Sequence, residues 1–322
     1  MKKSTKILII TAAVLLFAGG AVFAGAMSAL GWDFTKLGTV KYETETYEIN
    51  EDFNNIEIDV NTDRIAFEPS KDGKCVVVCH APEESPRSVK VEDGALNIRA
   101  ESKEKWYSFI GNLDFSTPKI TVYLPKDSYG ALSVKSDTGD IDLPAVFTFA
   151  ALDIDSHTAD VSCFSSVTGP VKIKLSTGDI DLSSRTAGEI DVTTSTGGIT
   201  LRGVHCEGKI TAKMSTGNLF AENVSCKLLT SDGSTGDVTL KTVTATGDMS
   251  IKTSTGDVRF DGADAANIRA KTSTGNIKGV LLSEKIFFAK TSTGKTDVPK
   301  STAGGVCELE TSTGDIIISI DR

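Results

Sequence analysis

Three sets of side chains in this sequence have the types and spacing to do chemistry. The first is acidic. Asp140, Asp160, Asp179, Asn218, Asp237, Asp257, Asn276 and Asp315 recur at near-equal intervals. Carboxylates stacked about 5 Å apart would attract calcium. Gly198 and Lys295 interrupt the series, and the Gly-rich nonapeptide of calcium rolls is absent. Asp and Asn also suit a turn whose backbone they hydrogen-bond, so the series reads as structural and no metal site is expected. The second set is Thr-Ser-Thr, at 194–196, 253–255, 272–274, 291–293 and 311–313. Flat threonine ladders can bind ice, but strand alternation gives these threonines the parity of inward residues. They are expected to line a corner of the core.

The third set is His and Cys. His80, His157 and His205 have no nucleophile or metal spacing with one another. The six cysteines are Cys75, Cys79, Cys163, Cys206, Cys226 and Cys307. An even number in an exported chain raises disulfides. Cys75 and Cys79 lie four apart in a β-like run, on one face but roughly 13 Å apart, beyond bridging distance. No Cys-x-x-Cys pair offers a zinc site. Buried thiols are the expectation. β-Solenoids can carry carbohydrate-cleaving carboxylates, but such a site would break the repeat. The acidic residues here mostly follow it. Neither a catalytic residue nor a cofactor is expected.

All three sets are placed by one repeat. Ser-Thr-Gly-Asp/Asn followed by an aliphatic residue recurs with glycines at Gly139, Gly178, Gly197, Gly217, Gly236, Gly256, Gly275, Gly294 and Gly314, and Ala159 fills the gap after the first. The steps are 19 or 20 residues. Two and four places after each glycine stand pairs such as Ile141/Leu143, Ile180/Leu182 and Val258/Phe260, with polar residues between. A second pair stands seven and five places before the next, as in Val171/Ile173, Ile190/Val192 and Cys307/Leu309. That alternation predicts two half-buried strands per repeat. Glycine supplies positive φ at one turn, which Ala159 would have to manage under strain. A 19-residue unit cannot close a core alone and must stack on its neighbours. The predicted fold is all-β: a single-strand β-solenoid of about ten coils over 131–322, a rod of roughly 48 Å. A propeller is the alternative, but its blades need about 40–45 residues.

The chain begins differently. Ile7 to Leu30 is 24 residues without a charge, preceded by Lys2, Lys3 and Lys6. About 20 apolar residues span a bilayer, and lysines in front keep the N-terminus cytoplasmic. A transmembrane signal-anchor over 7–30 with a cytoplasmic stub of 1–6 is predicted. The alternative is a secretory signal cleaved near Val22/Ala24 or Ala24/Ala26. The first cysteine is Cys75, which excludes a lipoprotein anchor. Either reading exports the bulk of the chain. The formal charge is −9 with three lysines in the stub, so the exported part is the more acidic. That, with 7% aromatics, argues against nucleic acid as a partner.

Residues 31–130 lack the glycine motif but read as β-rich, with strands over 53–60, 64–69, 74–79, 88–91, 95–100 and 119–124 and a hairpin at Asp93-Gly94. Trp106, Tyr107 and Phe109 lie in an insertion. The segment is read as an irregular start and cap of the solenoid, with a separate small β domain as alternative. At the far end Ile316, Ile317, Ile318 and Ile320 run to the C-terminus without a following cap. As a last strand they would leave an apolar edge that docks another envelope protein or a second copy, unless Asp321, Arg322 and a bend blunt it.

A basic start, one apolar helix, an irregular β segment and Ser-Thr-Gly-Asp-Ile coils together resemble the bacterial putative-adhesin family of β-strand repeats that includes LiaG-like envelope proteins. Ile56-Glu-Ile-Asp-Val60, Asp93 to Ile98 and Thr121 to Pro125 fit its N-terminal part, and the repeats from Ser136 fit its body. The resemblance covers about 32–322. It implies a non-catalytic binding or structural role at the cell envelope, or an accessory role in envelope stress exerted on a membrane sensor.

Overall fold

The computed structural model describes residues 3–33, 40–101, 117–183 and 188–321. Trp106, Tyr107, Phe109 and Arg322 lie outside them. One apolar helix, Lys3–Ala29, precedes a mostly-β body that is a β-solenoid of about nine turns. Each repeat forms its two strands where the alternation demands. Val161–Cys163 stacks in parallel on Ile180–Leu182, and Val171–Thr177 on Ile190–Thr196. A third inward pair also closes the coil: Val204/Cys206, Val224/Cys226, Val243/Ala245 and Ala263/Ala265 are all buried. These pairs stand seven and nine places after a glycine.

The order of coils in space is not their order in sequence. Asn55–Val60, on the first coil, lies between Ala95–Ala100 and Ser128–Thr138. At the other end Gly305–Thr313 lies between Val258–Lys271 and Lys285–Thr293. Ile316–Ile320 likewise pairs with Ile277–Leu281 on one side and, at Ile316 and Ile317, with Thr296–Asp297 on the other. At both ends the coil that is terminal in sequence has one further parallel coil outside it, and at the first end antiparallel strands lie beyond that. The expected open edge is covered at Ile316 and Ile317, while Ile318 to Ile320 pair on one side only; the coil that ends the rod is Lys285–Asp297.

Charge favours this order at both ends, although Lys252 and Lys271 still stand opposite each other within the stack. One outward column reads, through the stack, Arg99, Asp59, Lys135, Asp155, Lys174 at one end and Asp232, Lys252, Lys271, Glu310, Lys290 at the other. Stacking in sequence order would set Arg99 against Lys135 and Lys271 against Lys290. Insertion of Asp59 and Glu310 removes both clashes. Lys271 meets Glu310 at 2.9 Å and Arg269 meets Glu308 at 2.5 Å. Each exposed pair contributes roughly 0.2–1 kcal/mol, and like charges directly opposite cost similar amounts.

Two ion pairs strap the ends, the first buried and the second half-buried. Arg87 lies on the strand Arg87–Glu92, antiparallel to Ala95–Ala100. It reaches past that neighbour to Asp63 with two hydrogen bonds of 3.0 Å, both side chains being almost wholly buried. Burial pushes the Asp63 carboxyl above the usual carboxylate range, and the Arg87 hydrogen bonds and charge pull against it. At the far end Lys285 crosses the inserted coil at Gly305 and reaches Asp264 at 2.6 Å. Strands Tyr42–Ile49 and Cys75–Pro82 complete the first end as an antiparallel pair, in the same continuous sheet. The Asp93-Gly94 turn has positive φ at both residues, as a two-residue hairpin requires.

Candidate functional site

The repeated corner is built from three ladders. All nine repeat glycines have φ between +122° and +150°. The reason is stacking as well as turn geometry: a Cβ on Gly217 would lie 1.8 Å from the Gly197 carbonyl oxygen. Ala159 stays out of the positive-φ region, so it carries none of the expected strain. Thr194, Thr253, Thr272 and Thr311 are buried and donate their hydroxyls to the glycine carbonyls of the adjacent coil at 2.9–3.2 Å. They line the corner, as their parity predicts.

The acidic series forms the third ladder. The Asp160 carboxylate accepts the Asp179 backbone N–H at 2.8 Å, and Asp179 accepts that of Gly198 at 2.7 Å. Asn218 does the same for Asp237, and Asp237 for Asp257, both at 2.8 Å. The acceptor serves the next coil's turn and not its own, which spacing alone could not distinguish. The Asp315 carboxyl is held below the usual carboxylate range by the Lys295 backbone N–H and by Lys278. Among the described residues no group of three or more His, Cys, Asp and Glu is set to hold a metal ion.

The ladder has one gap that can be filled. Gly198 offers no acceptor to the next coil, its φ is not positive, and an added Cβ would have contacts no closer than 3.4 Å. Gly198→Asn is expected to raise stability by about 1 kcal/mol, one hydrogen bond plus reduced chain entropy in the unfolded state. A thermal melt in which the variant unfolds at or below the parent temperature would refute that reading of the ladder.

The histidines are kept apart on separate local partners. His80 stacks on Tyr42 with ring centroids 5.1 Å apart, His157 meets Asp137 at 3.2 Å, and His205 meets the Ser225 hydroxyl at 2.6 Å. All six cysteines are free and buried. Burial pushes the Cys79, Cys163, Cys226 and Cys307 thiols up to about 12 and Cys75 to about 11, so they stay protonated at neutral pH.

The surface departs from regularity at the final coil. Phe287 and Ala289 point inward there yet are only partly buried, whereas Cys307 and Leu309 in the same columns are sealed. Phe288 is 61% exposed on the outer face. The strand Lys285–Thr293 pairs with Gly305–Thr313, and among the described residues no strand pairs its other edge. The sequence offered a signal for this: Lys295 stands where the other turns carry Asp, Asn or Gly. A cavity of about 590 Å³ beside the coil is lined by Asp264, Ser283, Glu284 and Lys285. Burial raises the Asp264 carboxyl, but hydrogen bonds from Lys285 and Ser283 outweigh it and hold it low.

The fold and its corner define a repeat-built β-solenoid with one apolar N-terminal helix. The chain belongs to the Toastrack DUF4097 family, whose pattern matches residues 53–225 and 205–322. Among solved structures it is similar to a "putative adhesin" from Bacteroides fragilis at 18% identity, covering 87% of this chain and 97% of that one, with TM-score 0.41. It is also similar to proteins so described from Parabacteroides distasonis (16% identity, 76% and 97% covered, TM-score 0.49) and Parabacteroides merdae (15%, 76% and 98%, TM-score 0.46). No curated protein matches it.

Proposed function

We propose that this chain is a single-pass envelope protein. Its N-terminal helix spans the membrane with residues 1–6 in the cytoplasm, and its solenoid is held outside as a non-catalytic, adhesin-like binding or structural rod. The observation that carries this reading is the helix. Ile9–Ala29 has a mean hydropathy of 2.2, and its side chains are left uncovered except near its end, where Met27 is buried. Leu16 and Phe17 are 77% and 83% exposed, which a bilayer relieves and water does not. The body in turn has the long, regular, ladder-locked surface of a scaffold, and its polar side chains are spent on holding coils together.

The test compares the full chain with one whose residues 7–30 are replaced by a cleavable secretory signal. Membranes should retain the first and release the second, and surface partners should cross-link to both. Partners captured only by the anchored form would instead favour an accessory protein acting on a membrane sensor. Release of the full chain from membranes by carbonate would overturn the anchor.

A further inference from the structure

The rod ends on an unpaired strand, and the residues of that strand say what it fits. The turn of a further parallel coil would find no side-chain acceptor after Gly294, where most coils carry Asp or Asn. Lys295 stands there, and Pro299 follows in the second half of the coil. Continued stacking in the manner of the other coils is therefore disfavoured, and with it an open-ended fibre. An antiparallel partner makes no such demand.

Laid antiparallel on itself about Phe288, the strand Lys285–Thr293 pairs Phe287 with Ala289 on the inner face, a large residue with a small one. On the outer face it pairs Ile286 with Lys290, whose methylene stem can cover it, and Phe288 with its own copy. No like charges fall opposite each other in this register. The partly covered Phe287 and Ala289 gain cover, and Phe288 gains an aromatic partner.

We infer that the strand Lys285–Thr293 is a homophilic docking edge that pairs antiparallel with the same strand of a second copy, across a twofold axis through Phe288. The sheet then continues from one rod into the next. The N-terminal helices, which lead into the opposite end of each rod, come to lie at the two far ends of the pair. Resting on the anchored reading above, this joins copies in two facing membranes. One strand edge is small against the roughly 1,200 Å² of a stable interface, so a single contact is weak and many together hold.

The experiment uses the full chain in phosphatidylcholine vesicles, with donor-labelled and acceptor-labelled populations mixed. Vesicles bearing protein in both populations should cluster; those bearing it in one should not. Phe288→Lys should reduce clustering at least tenfold with an unchanged circular dichroism spectrum. In detergent solution, Phe288→Cys should give an oxidant-dependent, disulfide-linked dimer, and Lys172→Cys, in mid-rod, should not. No clustering by the parent chain, clustering with protein in one population only, or an unaltered Phe288→Lys variant would overturn the inference, as would thiols at 288 that fail to join. A chain that does not float with vesicles refutes the anchor instead, and the thiol cross-link then reads the tip contact alone.

Discussion

Gly217→Ala is expected to destabilise the rod by about 4 kcal/mol or more, far beyond an ordinary surface substitution. Two independent terms add. The residue holds φ at +148°, where an L side chain is strained. The new Cβ would also lie 1.8 Å from the Gly197 carbonyl oxygen, a backbone atom fixed by its own coil. That carbonyl cannot retreat without breaking the turns that the Asp and Thr ladders tie across coils. Gly203 is the internal control. Its φ is +62°, but nothing lies within 4 Å of an added Cβ, so Gly203→Ala should cost only about 1 kcal/mol. Urea midpoints for the two variants check the contrast. Equal losses would mean that the glycine column is a matter of turn geometry alone.

Deleting residues 305–322 is expected to unfold more than it removes. The deleted coil is interior to the stack, and the strand Lys285–Thr293 pairs with it and with no other described strand. Closing the gap by sliding that strand onto Val258–Lys271 would set Lys290 beside Lys271. Hydrogen exchange should therefore show residues 285–297 losing protection along with the deletion, while coils before Val238 keep theirs. Retained protection at 285–297 would mean that the coils restack in sequence order and that the charge column does not govern it.

Much of this architecture was legible because its cause is local. The 19–20-residue glycine spacing, the inward pairs and the buried parity of Thr194 or Thr272 follow from strand alternation and need no knowledge of neighbours. The third inward pair, Val204/Cys206 and its equivalents, was equally periodic but hidden by small and sulfur-bearing residues that do not look aliphatic. The strand Tyr42–Ile49 was not legible at all. Its sequence, Tyr-Glu-Thr-Glu-Thr-Tyr-Glu-Ile, is polar on the face that stays exposed. Coil order was the deeper omission. Chain continuity makes sequential stacking the default, and the alternation of Lys271, Glu310 and Lys290 in one column only accords with the last coil lying inside. For the same reason Ile316 and Ile317 looked like part of the edge, although Thr296–Asp297 covers them and Phe288 stands on the outermost strand. The Ala159 strain was an error of the same kind: a position in the glycine column need not share the glycine conformation.

The central claim is that the solenoid stands outside the cell on an uncleaved N-terminal helix, and the six buried native cysteines allow a direct measurement. Lys213 is exposed on the outer face of the rod, so Lys213→Cys supplies one reactive thiol in a chain otherwise silent to maleimides while folded. Intact cells should label this variant with a membrane-impermeant maleimide, in a membrane-bound product of full length. Labelling only after lysis would place the rod in the cytoplasm, and a labelled product shortened by the helix and found free of membranes would show a cleaved signal; either contradicts the account.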